Sequence, residues 1–514
     1  MMEALILLAV GLPLAAIPLI SMAGDKNPNL RETIIIITGM ITFTVVLSLL
    51  DPVMAGARPS VTLLEMMPGL TITFTVEPLG MIFAMVASGL WIVTTIYAMG
   101  YMRGHHELNQ TRFYICFAIA ISSAIGVAFS GNMLTLFLFY EVLTVSTFPL
   151  VAHHGTENAK RSGRIYLGIL IGTSVLFQML GIIATWVFAG TLDFTPGGIL
   201  EGKAPDSIIW VLLGLYVFGI GKAAVMPFHR WLPAAMVAPT PVSALLHAVA
   251  VVKAGVFTVL KITVYIFGTD FLLRLGSSEW IQYFAIFTIL VASMVAMTKD
   301  NLKARLAYST ISQLSYIVLA AMLVTPLGVV GGGMHIAMHA LGKITLFFCA
   351  GAIMVAAHKT EISQLNGIGR KMPWTMTAFA IGSLSMIGVP PTAGFTSKWY
   401  ILQGALQAEQ MIAVVAVILS TLLNAGYFLP IVYRAFFLSP PEKEIPVPLD
   451  PEEDMPPDAE TEDDHHDDHH DHHDDHGEAP LPMVLALTFT AAGTVVLFLW
   501  PQVPMDLAKM LIGG

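Results

Sequence analysis

Residues 218–228 read FGIGKAAVMPF, a lysine set among glycines, alanines and apolar side chains inside a much longer hydrophobic stretch. Gly219, Gly221 and Pro227 interrupt any helix that carries it, freeing backbone groups that then need partners. In a membrane such irregular backbone is tolerated only where protein or a water-filled cavity surrounds it. The segment therefore reads as a broken membrane helix whose ammonium group lines a hydrated path.

The rest of the chain supports a membrane setting. Of its 514 residues 56% are hydrophobic and 12% charged, about half the charged share of a globular chain, and the mean hydropathy is +0.75. Apolar runs recur along the whole length, each long enough to cross a hydrocarbon core of ~30 Å. Fourteen helices are predicted, at about 3–22, 32–50, 79–100, 112–129, 133–152, 164–189, 207–236, 241–265, 280–298, 304–324, 328–356, 373–406, 411–436 and 482–500. The fold class is all-α and polytopic. The N-terminal run MMEALILLAVGLPLAAIPLI carries Glu3 and no basic region, so it reads as a first span rather than a cleaved signal.

Two of these segments, 207–236 and 373–406, are too long for one straight span and contain breakers: Pro227 and Pro233 in one, GVPPTAGF (388–395) in the other. Interrupted segments at corresponding places in two halves point to a transporter with internal repeats. The chain divides accordingly into an N-terminal three-helix segment (1–111), five-helix repeats at 112–265 and 280–436, an acidic His/Asp-rich loop (437–481) and a C-terminal helix (482–514).

Charge placement sets an expected orientation. Odd-numbered loops hold most lysines and arginines, among them Lys26, Arg103, Lys160, Arg161, Lys299, Lys303, Arg370 and Lys371, whereas even-numbered loops hold Arg58, Lys203 and Arg274. The positive-inside rule then puts the odd loops in the cytoplasm and both termini outside a bacterial or archaeal-type cell membrane. The net charge of −10 comes from acid concentrated between 449 and 478, so no basic patch suggests nucleic acid. Cys116 and Cys349 lie in apolar runs and read as small packed side chains rather than a disulfide.

Within the last odd loop, TEDDHHDDHHDHHDDHGE (461–478) offers His465, His466, His469, His470, His472, His473 and His476. Clustered imidazoles and carboxylates suit zinc, nickel or copper. A solvated linker is the simpler reading.

The charges inside the apolar segments are Lys222, Lys253, Lys343, Lys398 and, midway along its helix, Glu141. Each central lysine costs roughly 2.5–3.5 kcal/mol on insertion scales. A single lysine could snorkel to an interface, but five unrelated structural charges are a heavy load. A buried lysine loses proton affinity by desolvation and regains it beside a carboxylate, so Glu141 with Lys222 forms a pair able to load and release a proton. In GGGMHIAMHALGKITLFF, His335, His339 and Lys343 recur every four residues on one helix face. They read as a relay, because histidine titrates in the useful range. His247 and Lys253 are six residues apart and need not share a face; His247 reads equally as a packed core histidine. A metal site from His335 and His339 lacks a carboxylate or thiol companion nearby in sequence.

GKAAVMPFHRWLPAAMVAPTPVSALLHAVAVVKAGVF (221–257), with FYEVLTVSTFPLV (139–151), HALGKITLFF (339–348) and GVPPTAGFTSKWYIL (388–402), resembles the antiporter-like subunits shared by Mrp-type multisubunit cation/proton antiporters and respiratory complex I. The resemblance runs from about 80 to 436. It implies fourteen helices with two inverted five-helix repeats and broken seventh and twelfth helices. It also implies proton-transfer roles for Glu141, Lys222, Lys253 and Lys398, with His335, His339 and Lys343 between them. Within the family the chain is most similar to the D-type antiporter-like component of Mrp complexes, since it has lysine at 398 and stops soon after its last helix. The His/Asp-rich loop departs from the family pattern.

The resemblance implies a transporter subunit rather than an enzyme, with other hydrophobic subunits as partners and protons and monovalent cations (Na⁺, K⁺ or Li⁺) as cargo. The alternative is a membrane-arm subunit of a redox-driven quinone reductase or hydrogenase. No cofactor is expected on this chain in either case, because two separated cysteines cannot supply the four ligands of an iron–sulfur cluster.

Overall fold

The computed structural model of the chain describes residues 1–440 and 477–512. The seven loop histidines between 465 and 476 lie outside the described residues. The helices are α1 (Met2–Ala23, kinked after Ala15), α2 (Pro28–Met54), α3 (Pro78–Gly104), α4 (Gln110–Ala128), α5 (Met133–Val151), α6 (Glu157–Ala189) and α7 (Asp206–Gly219). They continue with α8 (Thr240–Phe267), α9 (Glu279–Thr298), α10 (Leu302–Met322), α11 (Pro326–Ala357), α12 (Pro373–Ile387), α13 (Ala393–Gln407), α14 (Met411–Phe437), α15 (Leu481–Leu499) and the short α16 (Gln502–Lys509). Among the described residues, eleven of these are long and apolar enough to cross a membrane. The expected fourteen is reached only by adding α10 and the two interrupted segments. Helix α10 falls short in apolarity because protein surrounds it: Ser309, Thr310, Ser312, Gln313 and Ser315 are all fully buried.

The ends of the helices sort into two groups. At one end, Arg31 of α2 bonds Asp25 and Gln110, and Arg112 donates to the His153 carbonyl. Leu302 N–H donates to Thr360 O at the same end, and Lys303 Nζ to Ala238 O. Glu107 is gathered there by His153 and His154. Burial raises its proton affinity, but the hydrogen bond from His105 and the charges of His154 and His153 outweigh this and hold it below its ordinary value. At the other end, Met133 N–H reaches Leu192 O, Phe194 N–H reaches Gly131 O, and Thr195 N–H reaches Tyr265 O. Odd-numbered loops thus meet odd, and even meet even.

One element was not expected. Residues in the loop after α2 form an antiparallel hairpin, β1 (Ser60–Met67) with β2 (Leu70–Thr75). Its Pro68–Gly69 turn has Gly69 at φ +80°, and its second strand, LTITFT, sets threonine at every other position, a residue that favours a pleated surface. The hairpin is stitched to the bundle by Thr75 N–H to Phe129 O and Gly131 N–H to Thr73 O.

Candidate functional site: a buried row of basic side chains

The first break follows α7. Ile220 leaves the helix, residues 221–223 make one 3-10 turn, and Ala224 sits at φ 55°, a left-handed conformation that costs a residue with a Cβ roughly 1–2 kcal/mol. The freed backbone groups find partners: Lys222 N–H donates to Tyr140 Oη (3.2 Å), Met226 N–H to Thr288 Oγ1 (3.2 Å), and Trp231 Nε1 to Gly221 O (3.0 Å). Gly255 of α8 lets the break lie flat on that helix, since a Cβ there would strike the Lys222 carbonyl and the Ala223 nitrogen. Met226–Pro227 in this break and Pro390–Pro391 in the second are cis peptide bonds.

Lys222 is fully buried. Its ammonium donates to Tyr140 O (2.8 Å) and Thr144 Oγ1 (2.5 Å) on α5 and lies 3.1 Å from the centre of the Tyr140 ring. Glu141, half-buried, is the residue next to that carbonyl, and its Oε1 is buried without a hydrogen bond among the described residues. Among the described residues no ion pair within 4 Å joins the two. The expected pair is therefore adjacent but not closed. Asn132 places α5 for this contact by capping its N-terminus through the Thr135 N–H.

Lys253, on α8, is buried and its Nζ lies 2.7 Å from Nδ1 of His339 on α11. His335, one turn away, has its ring 5.7 Å from that of His339 and its Nδ1 2.8 Å from Ser397 Oγ on α13. Lys398 follows Ser397 and turns back across the second break, donating to Met386 O (2.6 Å) and Ile387 O (3.2 Å), the last carbonyls of α12. Gly388, at φ +90°, ends that helix in the left-handed conformation favoured by glycine. Lys343, the third member of the α11 stripe, leaves the row and bonds Ser309 Oγ (2.9 Å), which also receives Tyr427 Oη (3.0 Å). His247 lies in a widened π-turn at 245–249, its ring 4.7 Å from Phe347 and both nitrogens buried without partners among the described residues.

The structure thus pairs Lys253 with His339 and His335 with Ser397, sets the two imidazole rings 5.7 Å apart, and places Lys398 next to Ser397 at the second break. Lys222 sits on the same helix α8 by backbone packing, and Lys343 and His247 flank the row. Sequence reading missed the hydroxyls that complete these contacts, Thr144, Ser309 and Ser397, because a serine or threonine in an apolar helix usually bonds its own backbone. It also missed the buried ion pair of Lys261 with Glu77 (2.5 Å).

A polytopic helical bundle with two interrupted helices and a buried basic row defines a class of ion-translocating membrane subunit. Residues 130–424, more than half of the chain, match the family model described as NADH:quinone oxidoreductase/Mrp antiporter, transmembrane. The chain belongs to that family and is a multi-pass membrane protein. The N subunit of an NADH-quinone oxidoreductase from Desulforudis audaxviator is 31% identical over 386 residues, 73% of this chain and 76% of that one. The A subunit of a Na⁺/H⁺ antiporter from Alkalihalophilus pseudofirmus is 32% identical over 372 residues, 67% of this chain and 44% of that longer one. One component of the Mrp complex from Dietzia sp. shares the fold with a TM-score of 0.83 at 22% identity, over 99% of this chain and 96% of that one.

Proposed function

We propose that the chain is the proton-conducting subunit of a multisubunit monovalent-cation/proton antiporter, of the D type found in Mrp complexes. The observation that carries the reading is the buried basic row, in which Lys253 bonds His339, His335 bonds Ser397, the two imidazole rings lie 5.7 Å apart and Lys398 stands next to Ser397, with Lys222 buried at the other break. Lys222 and Lys398 act as switching bases, Glu141 tunes the first by approaching and leaving it, and the histidines pass protons between them. A buried Lys–Glu contact of this kind changes proton affinity by the charge it adds or removes. One break falls within each of the two repeats, at 112–265 and 280–436. Their loops follow the positive-inside pattern, with odd loops, including 437–481, in the cytoplasm and both termini outside. Other hydrophobic subunits complete the complex, as the relatives' names as antiporter and oxidoreductase subunits support.

The test is cation-dependent proton movement in vesicles carrying the complete complex. Lys222→Ala and Glu141→Ala are each expected to abolish it while the complex still assembles; full activity in either variant refutes the roles given to them. A second reading, the membrane arm of a redox-driven pump, is supported by the relative named as an oxidoreductase subunit. Mass spectrometry of the gently extracted complex separates the two: small hydrophobic partners alone fit the antiporter, and co-purifying flavin or iron–sulfur subunits fit the pump.

A further inference from the structure

Two turns beyond Lys253 on α8, a rise of about 12 Å, stands Lys261, a fully buried lysine outside the row just described. Its Nζ lies 2.5 Å from Glu77 Oε1 and donates to Ser130 O at 2.7 Å. The rings of Phe194 (4.3 Å) and Phe257 (5.3 Å) cover it. Glu77 is the residue just before α3, where the β1–β2 hairpin returns to the bundle, and it retains slight exposure, 6% against 0% for Lys261. Glu77 is thus the slightly exposed member, at the hairpin end, and Lys261 the member that shares helix α8 with Lys253. Phe257, midway in sequence between the two lysines and packed 5.2 Å from Phe83, occupies the turn between them.

A buried ion pair is weak evidence for stability, since apolar replacements of similar volume are often neutral or better. Nor is this pair needed to anchor the hairpin. Thr75, Gly131 and Thr73 already bond it to the bundle through backbone N–H groups, and Asn132 Nδ2 donates to Thr71 O. What the pair does provide is a second basic group two turns along α8 from Lys253 and about 80° round the helix from it, with its own carboxylate at the hairpin end.

We propose that Lys261 and Glu77 form the terminal proton-transfer site at the hairpin end of the path, a role that rests on the proton-conducting reading above. In the release direction the Lys261 ammonium gives its proton to the Glu77 carboxylate, breaking an N–H bond and forming an O–H bond, and leaves a neutral pair. Glu77 releases that proton to water at the hairpin end. Neutral Lys261 then takes a proton from the Lys253 ammonium through water that enters when Phe257 swings aside, the proton passing along that water from one nitrogen to the other, and protonated His339 recharges Lys253. Uptake runs the same steps backwards. The other titratable groups around the pair are Tyr265, which faces Glu77, and Arg58, which faces Tyr265. Asp193 follows on the exposed loop beside Phe194.

The experiment uses the complete complex in proteoliposomes, normalised to assembled complex, with pH varied on one side at a time. Lys261→Arg keeps the positive charge, but a guanidinium does not give up its proton, so transport is expected to fall at least about a hundredfold while assembly persists. Transport at the wild-type rate in Lys261→Arg overturns the proposal, because a purely structural ion pair accepts arginine. Glu77→Gln removes the carboxylate that takes the proton from Lys261, so transport is expected to slow at least about tenfold and the hairpin-side pH profile to change. The profile for the opposite side stays in place. Should Lys261→Arg fail to assemble, Glu77→Gln decides, and an unmoved hairpin-side profile overturns the proposal. Lys222→Ala, run beside them, separates the two levels. If it is inactive while the hairpin-end variants behave as wild type, this inference alone falls; if it transports normally, the proton-conducting reading falls and this site with it.

Discussion

Each of the two helix breaks has a buried lysine beside it, but the two are held in different ways. Lys398 spans its own break: it sits on α13 and donates to Met386 O and Ile387 O at the end of α12. Those carbonyls are the negative end of a half-helix and lack partners of their own. Gln313 and Asn424 also donate to Met386 O, so the helix end is tied from three directions. Lys222 instead leans on an unbroken neighbour, α5, where Tyr140 O and the Thr144 hydroxyl receive it, with Glu141 one residue away. Among the described residues, Lys398 has no carboxylate within ion-pair distance. One lysine is therefore held by fixed backbone dipoles, and the other stands beside a charge that can move or be neutralised. A dipole sets a constant bias; a titratable neighbour makes a switch.

If that contrast is right, the largest single effect outside the lysines themselves belongs to Glu141. Glu141→Gln, which keeps shape and removes charge, is expected to slow proton transport at least about a hundredfold, the scale of a positioned acid–base group. Adding Glu141→Gln to an inactive Lys222 variant then costs nothing further, since the two act as one unit. Transport in vesicles at saturating cation measures both, and independent losses would break the pairing. His339→Ala comes next, with roughly a tenfold loss, because it removes the side chain that bridges Lys253 toward the second break while leaving either lysine intact. Thr144→Val takes one of two hydrogen-bond acceptors from a buried ammonium, a change of about 1.5–3 kcal/mol for a charged bond, or roughly ten- to a hundredfold in how firmly Lys222 is held. Its signature is a change in the pH dependence of transport rather than in assembly.

Much of this arrangement was legible in the sequence, and the reasons differ from residue to residue. Lys222, Lys253, Lys343 and Lys398 stand out because a charge in an apolar run has few cheap explanations, and the breaks are announced by Pro227 and by GVPPTAGF. The spacing of His335, His339 and Lys343 correctly put them on one helix, yet periodicity could not say that Lys343 would turn aside to Ser309, which depends on where α10 lies. Lys261 was passed over because a lysine near a helix end has the interface as an easy destination. Only the hairpin and the 190s loop, folding over that end, bury it. The hairpin's own signal, a Pro–Gly turn followed by the alternating run LTITFT, was present but short beside the long apolar runs around it.

The smallest effect in the comparison concerns Ser397. Its hydroxyl meets His335 Nδ1 at 2.8 Å and also lies 3.3 Å from Gly394 O, which it can donate to while accepting from the imidazole. Ser397→Ala leaves the His335 nitrogen without a protein partner but removes no charge. A neutral hydrogen bond is worth about 1 kcal/mol, so transport should slow roughly fivefold. Ser397→Thr, which keeps the hydroxyl, should restore most of the rate. The informative quantity is the ratio to Thr144→Val, measured in the same vesicles. Thr144 touches an ammonium directly and Ser397 touches a histidine instead, so the contrast between a switched first break and a fixed second break requires the Thr144 variant to lose more. Equal losses would mean that Lys398 depends on its side-chain surroundings as much as Lys222 does, and that the half-helix carbonyls of α12 do not set its behaviour.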